Sequence, residues 1–126
     1  MGNIYLAADG DDVGRKIEFF IVMDQMDLLS DFFNDFQAAM VWFAEKLSKE
    51  FDAEIIFNGG DSLLARLQTS EILTSKLENL RAEFSNLSHA TISLGIGDNP
   101  RQAYFALKLA KASGKNRTEI FQECIK

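Results

Sequence analysis

The chain has 126 residues, 47% of them hydrophobic, with 19 acidic and 13 basic side chains and a formal charge of −6. That is the length of one domain with enough apolar residues to bury a core without metals or disulfides, and the acidic balance argues against stable binding of duplex nucleic acid, which draws its affinity from Lys and Arg on phosphates. A single cysteine, Cys124, an opening MGNIYLAADG without the basic region and apolar run of a secretion signal, and an apolar run FFIVM at 19–23 hemmed in by Glu18 and Asp24 together predict a cytoplasmic chain that does not insert into membranes.

The first predicted strand, NIYLAA at 3–8, runs into the carboxylates Asp9, Asp11 and Asp12. A helical region follows from about Gly14 to Phe33. A second runs from about Asp35 to Phe51, where Phe36, Met40, Phe43 and Leu47 share one face and so predict core packing. The first of these helices carries Phe19, Phe20, Ile21, Val22, Met23 and Met26, more apolar surface than one face buries; the pattern fits a thoroughly buried helix or a subunit interface.

Two short strands, 53–58 and 62–67, flank Asn58-Gly59-Gly60-Asp61, where Gly-Gly supplies the positive φ angles of a tight hairpin and polar residues suit an exposed tip. A helix near 70–87 bears the stripe Leu73, Leu77, Leu80, Phe84 and Leu87, and a fourth strand at 90–97 alternates Ile92, Leu94 and Ile96 with Thr91, Ser93 and Gly95. The last helix has Asn99 as N-cap and Pro100 at its first position, and runs to about Ser113, before Gly114 in a place suited to a left-handed C-terminal cap. A strand over about 117–122 finishes the chain.

The order β-α-α-β-β-α-β-α-β predicts an α+β fold: a ferredoxin-like βαββαβ core with an appended helix and strand. In that topology strands one and three are antiparallel neighbours at the sheet centre, which brings Asp9 beside Asp61. Two carboxylates brought together repel unless a cation neutralises them. Oxygen ligands with no His or Cys nearby favour Mg²⁺ or Mn²⁺, whose shells are usually completed by water and by the phosphates of a nucleoside triphosphate.

LAADGDDVG resembles the Asp-x-Asp-x-x-Gly strand end, and NGGDS the Gly-Gly-Asp-Asp hairpin, of the palm polymerase domain in the large subunit of type III CRISPR complexes. SLGIGDNPRQAYFALKLAKASGKNR resembles the closing segment of that family and of the GGDEF diguanylate cyclases, and at this length the minimal CRISPR polymerase group is the best fit. The resemblance implies metal-dependent nucleotidyl transfer between triphosphates, with ATP favoured, pyrophosphate released and a cyclic oligonucleotide messenger formed in prokaryotic antiviral signalling. It implies Asp9, Asp61 and the Gly10 carbonyl as metal ligands. Gly59 and Gly60 would keep side chains away from the nucleotide, Asn58 and Ser62 would flank it, and Lys111 and Lys115 would neutralise its phosphates.

The segment Asp11–Arg15, entering a helix near Gly14, is expected to offer backbone N–H groups to the triphosphate. Asp11 or Asp12 equally suits a helix cap, and Lys111 and Lys115 equally suit solvated cations near a helix C-terminus. Ser62 stands where the family has a second acid, leaving the site one anion short unless Asp11 or Asp12 supplies it. A cyclic dinucleotide needs two triphosphates presented to each other, so a homodimer with facing sites is expected. The rival readings are a GTP cyclohydrolase III-like enzyme and a nucleotide-sensing module without turnover.

Overall fold

A computed structural model describes residues 4–68 and 74–122; Asn3, the predicted helix start at 70–73 and Cys124 lie outside the described residues. The elements are β1 (Ile4–Gly10), α1 (Val13–Val22), α2 (Met26–Phe51), β2 (Ala53–Gly59), β3 (Ser62–Leu67), α3 (Thr74–Ser88), β4 (Ile92–Gly97), α4 (Pro100–Ala112) and β5 (Thr118–Ile120). They form one five-stranded sheet in the order β2-β3-β1-β4-β5. β1 is antiparallel to β3 and β4, and β5 runs parallel to β4, so the expected βαββαβ core with its added helix and strand is present.

The largest departure from the sequence reading is the first helical break. It falls at Met23–Gln25 rather than near Phe33–Asp35, and α2 runs 26 residues without interruption. Asp24 adopts φ 56, and its N–H bonds the Ile21 carbonyl while that of Gln25 bonds the Phe20 carbonyl. This is a Schellman cap with aspartate in the place glycine usually takes, so no glycine marked it. Phe32 and Phe36, four residues apart and both buried, carry α2 across the position where a break was expected.

The sheet separates two unequal layers. On one side α1, α2 and α3 cover Leu6, Ala8, Leu63, Ala65, Leu67, Ile92, Leu94 and Ile96 in a continuous core, where Phe84 meets Phe36 and Phe43 edge-on at 5.8 and 5.9 Å. The predicted stripes Phe36, Met40, Phe43, Leu47 and Leu77, Leu80, Phe84 are buried there, whereas Leu87 is exposed. On the other side α4 is the only helix among the described residues, and its Ala103 and Leu107 pack on Ala7. It lies so close to β4 that a Cβ on Gly95 would come within 2.1 Å of the Leu107 nitrogen. Hence β4 is buried along its whole length instead of alternating with solvent.

The α1 apolar run is not a buried helix. Phe20 packs on the core, but Phe19, Ile21, Val22, Met23 and Met26 are exposed. Among the described residues no helix is long and apolar enough to cross a membrane. At the other end of the chain, α4 begins as its sequence predicts: the Asn99 carboxamide oxygen accepts the Gln102 N–H at 2.9 Å with Pro100 in the first turn, and Gly114 follows the helix at φ 119.

Candidate functional site

Alternation along β1 turns Leu6 and Ala8 into the large core and Ala7 and Asp9 onto the α4 side. The register sets Asp9 opposite Ser62 on β3 and opposite Ser93 on β4. Ser62, not Asp61, is thus the direct neighbour of Asp9, and its hydroxyl donates to Asp9 Oδ1 at 2.7 Å. Asp61 sits one residue earlier, in the turn, where its carbonyl accepts the Gly10 N–H at 2.8 Å. Its carboxylate makes no hydrogen bond or ion pair among the described residues.

The hairpin uses its two glycines differently. Gly59 is the last residue of β2, paired with Ser62, and only Gly60 takes a positive φ, of 60. Positive φ at the first of two central residues is the pattern of a type II′ turn. A Cβ at either glycine would meet no protein atom within 4 Å, so the space above the turn is open. Gly10 is the opposite case: a Cβ there would lie 2.8 Å from the Phe36 ring, so packing alone requires glycine. Asn58 faces away from the turn's open side and donates to the Met40 carbonyl of α2 at 3.4 Å.

Lys111, in the last turn of α4, reaches the end of β1. Its ammonium lies 3.0 Å from Asp9 Oδ2, 2.9 Å from the Gly10 carbonyl and 2.7 Å from Asp11 Oδ1. Burial alone lowers its pKa, but the hydrogen bonds and charges of Asp11 and Asp9 outweigh that and raise it above the usual lysine value. Lys115 pairs with Asp12 at 2.6 Å. Both predicted basic residues therefore stand at the carboxylate cluster.

Asp11 is unlike its neighbours. It is 2% exposed and accepts from four donors: Lys111 Nζ, Thr91 Oγ1 and Ser93 Oγ at 2.7 Å each, and the Asn116 N–H at 2.9 Å. Burial pushes its pKa up, and these donors together bring it below the ordinary carboxylate value. Its own N–H bonds the Thr91 carbonyl at 2.8 Å, so the expectation that this group faces a phosphate is corrected: it is spent on sheet pairing. Nor does Asp11 cap α1. Asp12 holds the N-cap position at φ 57 but makes no side-chain capping bond, which leaves the first turn, with Gly14, without a side-chain acceptor.

Thr91, Ser93 and Asn116 were not singled out as site residues by sequence reasoning. Thr91 and Ser93 read as the solvent side of β4, and their partners lie about eighty positions away. Asn116 lies within a quoted motif, but its role depends on backbone: Gly114, Lys115 and Asn116 have φ of 119, 65 and 52, which turns the Asn116 N–H back onto Asp11.

The donor set suits a hard divalent cation. A carboxylate of Asp9 and the Gly10 carbonyl already converge on an ammonium at about 3 Å, and both are the oxygen ligands that such a cation prefers. Among the described residues no group of three or more His, Cys, Asp or Glu side chains is arranged to hold a metal. Asp9, the Gly10 carbonyl and Asp61 would therefore supply part of a shell and leave the rest to water and to phosphate oxygens.

The fold is shared with solved cyclase domains. The active GGEEF domain of a diguanylate cyclase from Vibrio cholerae is 15% identical, with TM-score 0.68, covering 98% of this chain and 85% of that one. The GGDEF domain of DgcB from Caulobacter crescentus, solved with c-di-GMP, is 17% identical with TM-score 0.64, covering 97% and 80%. A chain of the Csm1–Csm4 cassette, solved with cA4, is 20% identical with TM-score 0.61; the match covers 93% of this chain and 20% of that one. No curated protein sequence matches. The family model of the minimal CRISPR polymerase domain matches residues 5–121, nearly the whole chain, and takes in β1 with its carboxylates, the Gly59-Gly60 turn and the Lys111–Asn116 segment. The chain therefore belongs to the minimal CRISPR polymerase family.

Proposed function

We propose that the protein is a nucleotidyltransferase that joins nucleoside triphosphates into a cyclic dinucleotide or short cyclic oligonucleotide, with ATP as the favoured substrate. The observation that carries this reading is the meeting of Asp9, the Gly10 carbonyl and Lys111 at the end of the two central strands, beside a glycine turn with open space above it. In each transfer a ribose hydroxyl oxygen bonds to the α-phosphorus of a second triphosphate. The bond from that phosphorus to the bridging oxygen breaks, pyrophosphate leaves with the electron pair, and the hydroxyl proton passes to water.

Asp9, Asp61 and the Gly10 carbonyl would hold Mg²⁺ or Mn²⁺, which lowers the cost of charge on the attacking and leaving oxygens. Ser62 fixes the Asp9 carboxylate through its 2.7 Å hydrogen bond. Lys111 and Lys115 lie where a triphosphate would offer them new anionic partners, and the first turn of α1, which has no side-chain cap, starts at Asp12, the partner of Lys115. Gly59 and Gly60 leave room for the nucleotide above the turn.

A cyclic dinucleotide requires two such sites face to face, and the exposed Phe19 and Val22 of α1, with Met23 just after it, suit a homodimer. We propose that the product serves prokaryotic antiviral signalling in the cytoplasm, a reading that the match to the minimal CRISPR polymerase domain supports. The test is to incubate the protein with each NTP and their mixture with Mg²⁺ or Mn²⁺, measure pyrophosphate and identify products by mass. A cyclic product that disappears in Asp61→Ala supports the reading; NTP binding without pyrophosphate favours a nucleotide-sensing module, the reading that Ser62 in place of a second acid supports.

A further inference from the structure

Beyond the carboxylate site, the thinly covered α4 side of the sheet holds a pocket of about 410 Å³ between α4 and β3, within the range of small-molecule sites. Its lining is apolar and aromatic, with Phe57 of β2 and Tyr104 of α4 about half exposed, Ala7 and Leu64 from the sheet, and Arg101 as its cation. Ser62 also lines it, and the Ser62 hydroxyl is bonded to Asp9. The pocket thus opens onto the same face of the sheet as the Asp9 carboxylate.

A second observation concerns Phe57. Along β2 the pairing advances from Ile55↔Ala65 to Phe57↔Leu64, so Ile56 is an extra residue in a β-bulge. Without the bulge Phe57 would pair with Leu63, whose side chain lies in the large core; with it, Phe57 pairs with Leu64 and faces the pocket. Bulges characteristically re-aim one side chain next to a site. The ligand's charge is indicated as well. Arg101 lines the pocket with its guanidinium 5.7 Å from the Phe105 ring centroid, and Lys108, beyond the lining, lies 5.3 Å from the Tyr104 ring centroid; neither has an acidic partner among the described residues of a chain whose net charge is −6.

We infer that this pocket takes the base of a nucleotide whose sugar lies against Ser62 and whose phosphates reach the Lys111 end of β1. A planar base stacks on half-exposed aromatic rings whatever its identity, and Arg101 and Lys108 complement the anion it belongs to. Ala7 is the small floor residue over which the base lies. The assignment rests on the nucleotidyl-transfer reading for its ligand, and its test is independent of turnover.

The experiment titrates the full chain with α,β-methylene ATP and, separately, with inorganic tripolyphosphate, both with Mg²⁺, while NMR follows the Ala7 methyl and the Phe57, Tyr104 and Phe19 rings. The analogue should shift the Ala7, Phe57 and Tyr104 signals. Phe57→Ala, Tyr104→Ala and the pocket-filling Ala7→Leu should each weaken it by about tenfold, the effect of losing one stacked base, and leave tripolyphosphate binding unchanged. Variants are compared only where their spectra remain those of the folded chain, and three substitutions in three different elements keep the test open if one does not fold.

Equal affinity of the analogue in all folded variants would overturn the assignment. So would shifts confined to Phe19, which lines a separate cleft of about 550 Å³ with Asp12, Arg15 and Lys16, and so would Phe57 and Tyr104 shifts that follow protein concentration without nucleotide, the mark of a second copy on this face. If the pocket variants lose the analogue but the wild type makes no product, the pocket stands and the cyclase reading falls. Product formation with unaffected analogue binding gives the reverse.

Discussion

The two faces of the sheet are built on opposite terms. Among the described residues the α1–α3 side gathers twenty buried apolar residues in one cluster and the α4 side gathers three, with Ala106 and Ala110 of α4 buried beside them. The first side buries no charged side chain among the described residues, and its buried Ser88 donates to the Ala90 carbonyl; the second holds Asp9, Asp11, Ser62, Ser93 and Lys111 in one hydrogen-bonded chain. What the difference teaches is a division of labour: one face supplies the hydrophobic free energy, and the other, relieved of most packing, can hold charged groups at the strand ends where a ligand reaches them.

The sharpest way to break that comparison is to remove a carboxylate. Asp61→Ala and Asp9→Ala should abolish turnover with little change in melting temperature, and turnover that survives in either would remove that residue from the site. On the packed face the effect reverses. Phe43→Ala, at a fully buried ring, should cost about 3–5 kcal/mol of stability, and a variant as stable as wild type would contradict the assignment of the main core to that side.

Asp11→Ala tests whether the buried carboxylate is architecture or chemistry. It strands the donors of Thr91, Ser93 and Asn116 and should cost on the order of 1–3 kcal/mol, with Asn a milder replacement because it keeps an acceptor. Lost turnover at unchanged stability would instead make Asp11 a participant in the reaction. Smaller again is Lys115→Ala: the 2.6 Å pair with Asp12 is open to solvent, so the expected change is a raised KM for triphosphate, and an unaltered KM would remove that contact.

The network also predicts a pH dependence of stability. The Asp11 pKa lies below its ordinary 3.8 in the folded chain, so its contribution is complete above 3.8 and is lost as pH falls through the lowered value. For Lys111, raised above 10.5, the contribution is complete below 10.5 and is lost as pH rises through the raised value. Asp11→Asn should flatten the acid limb of a melting-temperature profile, and an acid limb identical to wild type would show that other carboxylates control it.

Much of this was legible in local patterns. The four-residue spacing of Phe36, Met40, Phe43 and Leu47 needs only the helical repeat to place them on the core side, and Asn99-Pro100 starts a helix by a hydrogen bond three residues long and a fixed φ. Carboxylates at a strand end and a Gly-Gly turn in chain order picked out Asp9 and Asp61 as candidates, and the resemblance of the closing segment to the polymerase and cyclase families added Lys111 and Lys115. Elsewhere the local signal was weak or misleading. Asp24 and Asp52 end helices in the left-handed conformation usually marked by glycine, and the bulge at Ile56 has no residue signature.

By itself, then, the sequence determined the order of helical and strand regions, though not where α1 gives way to α2, and which residues have the chemistry to hold a cation and a phosphate, because those properties reside in periodicity and side-chain type. Only the tertiary structure decided how the carboxylates divide. Asp9 and Asp11 differ by two positions and share a strand end, yet one is 28% exposed at its side chain and the other 1%. That difference arises from β4 and the Lys115–Asn116 turn, which close over Asp11 from far along the chain and leave Asp9 with Ser62 and Lys111 at the rim. Burial and long-range hydrogen bonds are properties of the assembled sheet, and no reading of neighbours in sequence contains them.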